Sequence, residues 1–309
     1  MGKGLVLKSS GYAGLGDLLL GLDLAIALAR GSGRSLVVDW RDTPYCRNAI
    51  NLFEALFNLT ATELLPLSSL DDPRASVEPR LWRGALQDPL RTVYGRCRSD
   101  DWNRRWASSH LDAGERALNS KADWVVLWDH AKTSSQALAR RLDSPDPGAS
   151  LARGIEPVGP LQAAIAHFKA AHFRPSMLGV HVRDTAEAAR GGKRANRAAL
   201  SHLVDQLMAQ HPASGLFLAS DNAAVIAATQ ARHPCTVSRP KWMPEPGAPL
   251  HLAHHQGQEG LQVAADAAID IWLLAGCDRL IYPATSSFSR TAARLSGLTD
   301  EQLHGLAAA

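Results

Sequence analysis

His181-Val182-Arg183 pairs an imidazole with a guanidinium two residues apart. On a strand such residues face the same way. A guanidinium also offers a planar fork to phosphate oxygens, so the pair suits a diphosphate. Two further clusters share the same context. Leu178-Gly179-Val180 leads into His181-Val182-Arg183-Asp184, Leu216–Ala219 into Ser220-Asp221-Asn222, and Leu280–Tyr282 into Thr285-Ser286-Ser287-Phe288-Ser289-Arg290. Each is an apolar run ending in polar side chains. In a parallel sheet such ends converge on the carboxyl edge, where α/β proteins bind ligands. The hydroxyls of Thr285, Ser286 and Ser287 precede a helix, whose free N-terminal amides attract anions. Singly, each cluster is equally well a strand end or a Ser/Thr cap; together they favour a site.

Other candidates weigh less. Gly11-x-x-Gly14-x-Gly16 reverses the G-x-G-x-x-G spacing of dinucleotide-binding loops, with Asp39 at a suggestive distance after the next strand. A nicotinamide-dependent oxidoreductase is therefore one competing reading, and a tight strand-to-helix turn is the preferred one. His251, His254 and His255 lack further ligands and read as a solvated loop rather than a metal site. Trp82, Trp102 and Trp106 lie among Arg83, Arg91, Arg96, Arg98, Arg104 and Arg105. Packing is the first reading of that patch, and a non-catalytic glycan- or nucleic-acid-binding surface the third functional alternative.

The elements that must position these residues alternate strand and helix. Leu5–Leu7, a glycine loop, a helix over Leu18–Arg30 and a strand at Leu36–Val38 open an α/β domain with a parallel sheet, and Trp124–Trp128 adds a later strand. Residues 60–120 are irregular, and short helices are expected there. Ser144–Gly148, continuing to Gly159-Pro160, breaks periodicity and marks a linker. A second series follows, with strands at Met177–Val182, Leu216–Ala219 and Arg279–Tyr282. Helices are expected at Leu161–Ala171, Ala198–Gln210, Ala223–Ala231 and Gln262–Ala275. Two domains, 1–155 and 156–309, are the simplest organisation.

Length and charge are compatible with this. The 309 residues, 46% hydrophobic, suffice for two cores, and a net charge of +3 fits an anionic small substrate as well as a nucleic acid. Cys46, Cys97, Cys235 and Cys277 form no C-x-x-C pair, which argues against a disulfide framework or a cysteine zinc site. The apolar stretch Leu18–Ala29 carries Asp23, follows Asp17 and is too short to span a bilayer. The expectation is a cytoplasmic protein with no membrane span, peripheral contact aside.

Four segments in order carry a family resemblance: Gly179–Arg183, Phe217–Asn222, Asp270–Ile281 and Thr285–Phe288. They resemble the superfamily of nodulation fucosyltransferases, α-1,6-fucosyltransferases and protein O-fucosyltransferases. Gly14-Leu15-Gly16-Asp17 followed by Arg34–Trp40 is similar to the nodulation type in particular. The resemblance implies a GT-B fold, two Rossmann-like domains facing a central cleft, with 1–155 on the acceptor side and 156–309 binding a nucleotide sugar. It implies an inverting, metal-independent glycosyltransferase using a GDP-sugar, usually GDP-fucose, on a glycan or lipo-oligosaccharide. Neither a metal nor a nucleic-acid partner is expected.

By the same resemblance Arg183 holds the β-phosphate and stabilises departing GDP, while His181 and Asp270 read guanine or ribose. Ser286 and Ser287 bind phosphate oxygens beside Thr285, Asp221 lines the donor cleft, and Gly14 and Gly16 form the turn facing it. Glu187 and Asp17 are the candidate bases, each also readable as a first-turn helix acid. Some relatives carry two basic residues after the histidine, whereas here Asp184 follows Arg183. That removes one possible phosphate contact.

Overall fold

The apolar runs of the first half pair in parallel. In the computed structural model, which describes residues 3–46, 50–95, 117–128, 151, 154–184, 197–245, 248, 250–251 and 259–307, the chain divides into two compact units, Met1–Glu156 and Pro157–Ala309. The first unit contains β1 (Gly4–Lys8), β2 (Ser35–Asp39), β3 (Phe57–Leu59), β4 (Val77–Glu78) and β5 (Trp124–Trp128). Four of them form a parallel sheet in the order β2-β1-β5-β4, with Val6 level with Val37 and Val126. β3 instead pairs with β6 (Ile155–Pro157). Continuous burial of β1 and β5 accounts for their unbroken apolar runs.

The first helix spans Leu15–Ser32, three residues earlier than the apolar periodicity begins. Gly14 is the extended N-cap, and the Leu15 amide donates to the Tyr45 hydroxyl at 3.1 Å, so the first turn is closed without a Ser or Asp cap. Gly16 and Asp17 thus belong to the helix and not to the loop before it. Gly33, at φ +63°, ends the helix in the left-handed conformation that glycine adopts most readily.

Arg34 then turns inward. Its guanidinium donates to the carbonyls of Ala122 (2.9 Å), Ser120 (2.6 Å) and Ala117 (3.3 Å), with longer contacts to Gly4 and Asp123. One side chain thereby fastens the approach to β5 onto the amino edge of the sheet.

The described part of 60–95 carries short elements, as the irregular composition predicts: 3-10 turns at Leu67–Leu70 and Arg80–Trp82 and a helix at Leu90–Gly95. It also supplies β4, which is too short to show an alternation. Trp82 is fully buried with Tyr94 and Trp128 in the core of this unit, so its role is packing. Cys97, Arg96, Arg98, Trp102, Arg104, Arg105, Trp106, Ser144–Gly148, Glu187, His254 and His255 lie outside the described residues.

The second unit has a five-stranded parallel sheet. It comprises β7 (Met177–Val182), β8 (Gly215–Ser220), β9 (Thr236–Val237), β10 (Arg279–Pro283) and β11 (Leu303–Leu306), in the order β11-β10-β7-β8-β9. Helices cover Gly159–His172, Arg197–Gln210, Ala223–Arg232, Gly260–Ala275 and Ser287–Ser296. Gly159-Pro160 is not linker but the start of a helix, with Pro160 in the first turn, where its missing N–H costs nothing. β11 was not expected, because Leu303-His304-Gly305-Leu306 has no strand periodicity; its pairing to β10 makes it a strand. Gly179 on β7 permits close packing, since a Cβ there would sit 3.1 Å from the Cys277 sulfur. Both units are Rossmann-like α/β, as the GT-B class requires.

Replacing Arg34 by Met should lower stability by about 3 kcal/mol, because several backbone carbonyls lose a charged donor at once. Urea unfolding with an unchanged slope would show the loss, and a cost near zero would refute the fastening role.

Candidate functional site

The strand order of the second unit reverses between β7 and β10, and ligands of open α/β sheets bind at such a switch point. β7 lies between β8 and β10, with His181 level with Ala219, Val182 level with Ser220, and Ile281 level with Val180. The three polar clusters therefore leave the sheet side by side. His181 is the last residue but one of β7 and is buried, and Arg183 follows the strand, half-buried. Asp221 follows β8. Thr285 is exposed, Ser286 caps the helix Ser287–Ser296, and Ser287 begins it.

Three buried side-chain atoms without a hydrogen bond lie here. His181 Nδ1, Ser286 Oγ and one oxygen of Asp270 (Oδ1) are buried and make no hydrogen bond. The residues are 7%, 0% and 1% exposed, out of reach of bulk solvent. Ser286 occupies the cap position without its hydroxyl capping the helix. Native proteins leave few such groups unpaired, so a cluster of them at a strand end calls for a ligand, an ion or an ordered water. All three were singled out from the sequence.

The His181 ring packs on Phe288, with centroids 4.8 Å apart and planes at 31°. Burial, with Arg183 and Lys241 nearby, lowers its pKa to about 3. It is thus a neutral imidazole near pH 7, able to donate from one nitrogen and accept at the other.

Asp184, which follows Arg183, ties two strand ends together. Its amide donates to Asp221 Oδ1 at 3.0 Å, and its carboxylate accepts from Asn222 Nδ2 at 2.8 Å. Asn222 Oδ1 in turn caps the helix Ala223–Arg232 through the amides of Ala224 (2.9 Å) and Val225 (3.3 Å). Burial raises the Asp221 pKa, an effect that the Asp184 amide, Arg183 and Lys241 oppose.

Two cations escaped the sequence reading. Arg239 and Lys241 follow β9 and reach Asp266 and Asp270, one turn apart on the helix Gly260–Ala275. Arg239 bonds Asp266 Oδ1 at 2.7 Å and lies 3.5 Å from Asp270 Oδ1, an ion-pair distance rather than a hydrogen bond. Lys241 pairs with Asp270 Oδ2. The sequence signal was the acid pair itself: carboxylates at i and i+4 on an otherwise buried apolar helix require cations from elsewhere.

In the first unit, Gly14, Gly16 and Asp17 lie at the carboxyl end of β1, Asp17 half-buried in the first helical turn. A cavity of about 150 Å³ nearby is lined by Lys8, Ser9, Asp39, Arg41, Asp42, Gln87, Pro89 and Leu90. Lys8 Nζ donates to Asp39 Oδ2, Leu86 O and Asp88 O, and Asp39 also accepts from Arg41. Burial lowers the Lys8 pKa against the pull of Asp39. Burial pushes Asp39 up, and Arg41 with Lys8 outweighs it, so its pKa ends low. Asp39 is therefore engaged and does not present itself to a ribose. Gly11, at φ +80°, backs onto the buried carboxylate of Asp42, 3.2 Å from where a Cβ would stand. With the Leu15 amide already bonded and a carboxylate behind the loop, a dinucleotide pyrophosphate has no cradle here.

Among the described residues, no group of three or more His, Cys, Asp or Glu could hold a metal ion.

Comparison with known proteins gives the family and the fold. The family model described as "Nodulation protein Z (NodZ)" matches residues 145–300. Nodulation protein Z of Bradyrhizobium diazoefficiens is 26% identical over 307 residues, covering 90% of this chain and 76% of its own. A crystal structure of NodZ α-1,6-fucosyltransferase soaked with GDP-fucose is similar in fold, with a TM-score of 0.65 at 24% identity, covering 95% of this chain and 92% of that one. POFUT1 in complex with GDP follows, with a TM-score of 0.56 at 12% identity and coverage of 98% and 99%.

The His181 environment sets a pH dependence. The unfolded chain takes up this proton near pH 6.5 and the folded one only near pH 3, so the stability held above pH 6.5 is lost progressively as pH falls between those values. At pH 5 the loss should be about 2 kcal/mol. Urea titrations of wild type and His181→Gln should show the variant lacking this slope; parallel pH profiles would contradict a buried neutral imidazole.

Proposed function

The chain belongs to the NodZ family, and on that premise we propose that it moves fucose from GDP-fucose to a hydroxyl of a glycan or lipo-oligosaccharide, with inversion and without a metal. Enzymes of this family are glycosyltransferases, and this chain is one. A single observation carries the donor assignment: buried atoms of His181, Asp270 and Ser286 that make no hydrogen bond lie with Arg183 at one sheet edge, on the segments that resemble fucosyltransferases.

The chemistry follows from charge. Cleavage of the sugar–phosphate bond leaves negative charge on the β-phosphate, and a fixed guanidinium there gains more in the transition state than in the ground state. Arg183 has that role. Ser286 and Ser287, at the start of a ten-residue helix, direct amides and hydroxyls to the phosphate oxygens. The neutral His181 offers Nδ1, and Asp270 an oxygen, to hydroxyl and N–H groups of the nucleoside. Asp221 lines the same edge.

The first unit, with the turn at Gly14 and Gly16, presents the acceptor. Asp17 is the described candidate for taking the acceptor proton, and Glu187 is the second candidate. No helix among the described residues is long and apolar enough to cross a membrane. We place the enzyme in the cytoplasm, where nucleotide sugars are available as donors.

Two measurements test the reading. In a thermal-shift panel, GDP and GDP-fucose should raise Tm and uridine nucleotides should not. Arg183→Ala should cut kcat by about 10²–10³-fold with the fold intact. Normal turnover by that variant would sink the mechanism, and a protein indifferent to GDP would sink the donor class.

A further inference from the structure

The sheet edge that receives the donor has an unfavourable charge balance for a diphosphate. Arg183 is flanked by Asp184 and Asp221, and Asp184 is committed to tying β7 to β8. One guanidinium between two carboxylates attracts a polyanion weakly. A second cation nevertheless stands at the edge. The Lys241 side chain is 7% exposed, and its charge is felt at both His181 and Asp221. Asp270 is its one partner among the described residues, which leaves two of the three ammonium donors unused.

The neighbouring cation is placed differently. Arg239 forks across Asp266 Oδ1 (2.7 Å), the Asp266 carbonyl (3.2 Å) and Asp270 Oδ1 (3.5 Å). It stays fixed and continues to neutralise Asp270 if Lys241 moves. A lysine is suited to such a move, being a point charge on a flexible stem. Its departure would also free Asp270 Oδ2 beside Oδ1, which lies at ion-pair distance from Arg239 without a hydrogen bond, giving the carboxylate two acceptors for N–H or O–H groups of a nucleoside.

Building on the GDP-sugar reading, we propose that Lys241 is the second diphosphate-binding cation of this site, held on Asp270 while the donor is absent and transferred to the phosphates when it binds. In this chain Lys241 then supplies, from the segment after β9, the charge that Asp184 does not.

The test is a binding series with GDP, GMP and guanosine on wild type, Lys241→Met and Lys241→Arg, by calorimetry. Wild type should bind GDP tightest. Lys241→Met should lose about tenfold or more in GDP affinity while keeping its guanosine affinity, and Lys241→Arg should recover most of the loss. Equal GDP affinity in wild type and a folded Lys241→Met protein would reduce the residue to an ion pair and overturn the proposal. Equal losses for GDP and guanosine would overturn it too, by assigning Lys241 to the nucleoside. Should Lys241→Met not fold, Lys241→Met/Asp270→Asn compared with Asp270→Asn alone gives the same readout without a stranded carboxylate. A wild-type protein that binds no GDP at all would remove the donor reading itself, which separates that failure from this one.

Discussion

Parallel pairing makes every strand of a sheet end on the same side, and the site depends on that constraint. β10, β7 and β8 are locked in register by backbone hydrogen bonds, and the side chains of β7 and β8 are buried throughout. Each strand therefore delivers its polar residues to one edge, although they lie about a hundred residues apart in the chain. The order β11-β10-β7-β8-β9 then opens the edge, because the helices after β7 and β10 run to opposite faces at the reversal. In the reading proposed above, a diphosphate meets there groups that none of the strands could present alone.

Both units fasten the carboxyl edge with buried ion pairs, and the contrast between them is informative. In the first, Lys8 spends all three donors on Asp39 and two carbonyls, and Arg41 and Gln87 extend the network. Such a set is complete and acts as scaffold. In the second, Asp270 keeps an oxygen without a hydrogen bond, with Lys241 spending a single donor on it, and His181 and Ser286 keep unpaired atoms. Low-dielectric surroundings make each unmet group costly, so the free protein holds in reserve interactions that a ligand can complete. The neutrality of His181 belongs to the same economy, since a buried imidazolium beside Arg183 and Lys241 would repel both.

Much of this was readable before any coordinates. The apolar runs at Leu5–Leu7, Met177–Val182 and Leu216–Ala219 are long enough and buried enough to declare themselves as strands, His181 and Ser286 stood out by type and setting, and Asp270 through the family resemblance. β4, β9 and β11 did not, because two to four residues carry no period and owe their form to a neighbouring strand. The helix start at Leu15 was hidden for a related reason: its amide is satisfied by Tyr45, thirty residues on, and no local cap advertises it. Asp184 looked like a loss of charge, whereas its contacts show a brace between two strand ends.

The sequence by itself determined the class of fold, the three clusters and the kind of ligand they suit, because hydrophobic periodicity and side-chain chemistry are local properties. Only the tertiary structure decided which charges face one another. Lys241 and Arg239 are anonymous basic residues in the chain, and Asp266 an acid without an evident role one turn before Asp270. Their meeting is set by how the helix Gly260–Ala275 packs on the sheet, and electrostatic energy depends on distance and burial, which spacing along the chain does not encode.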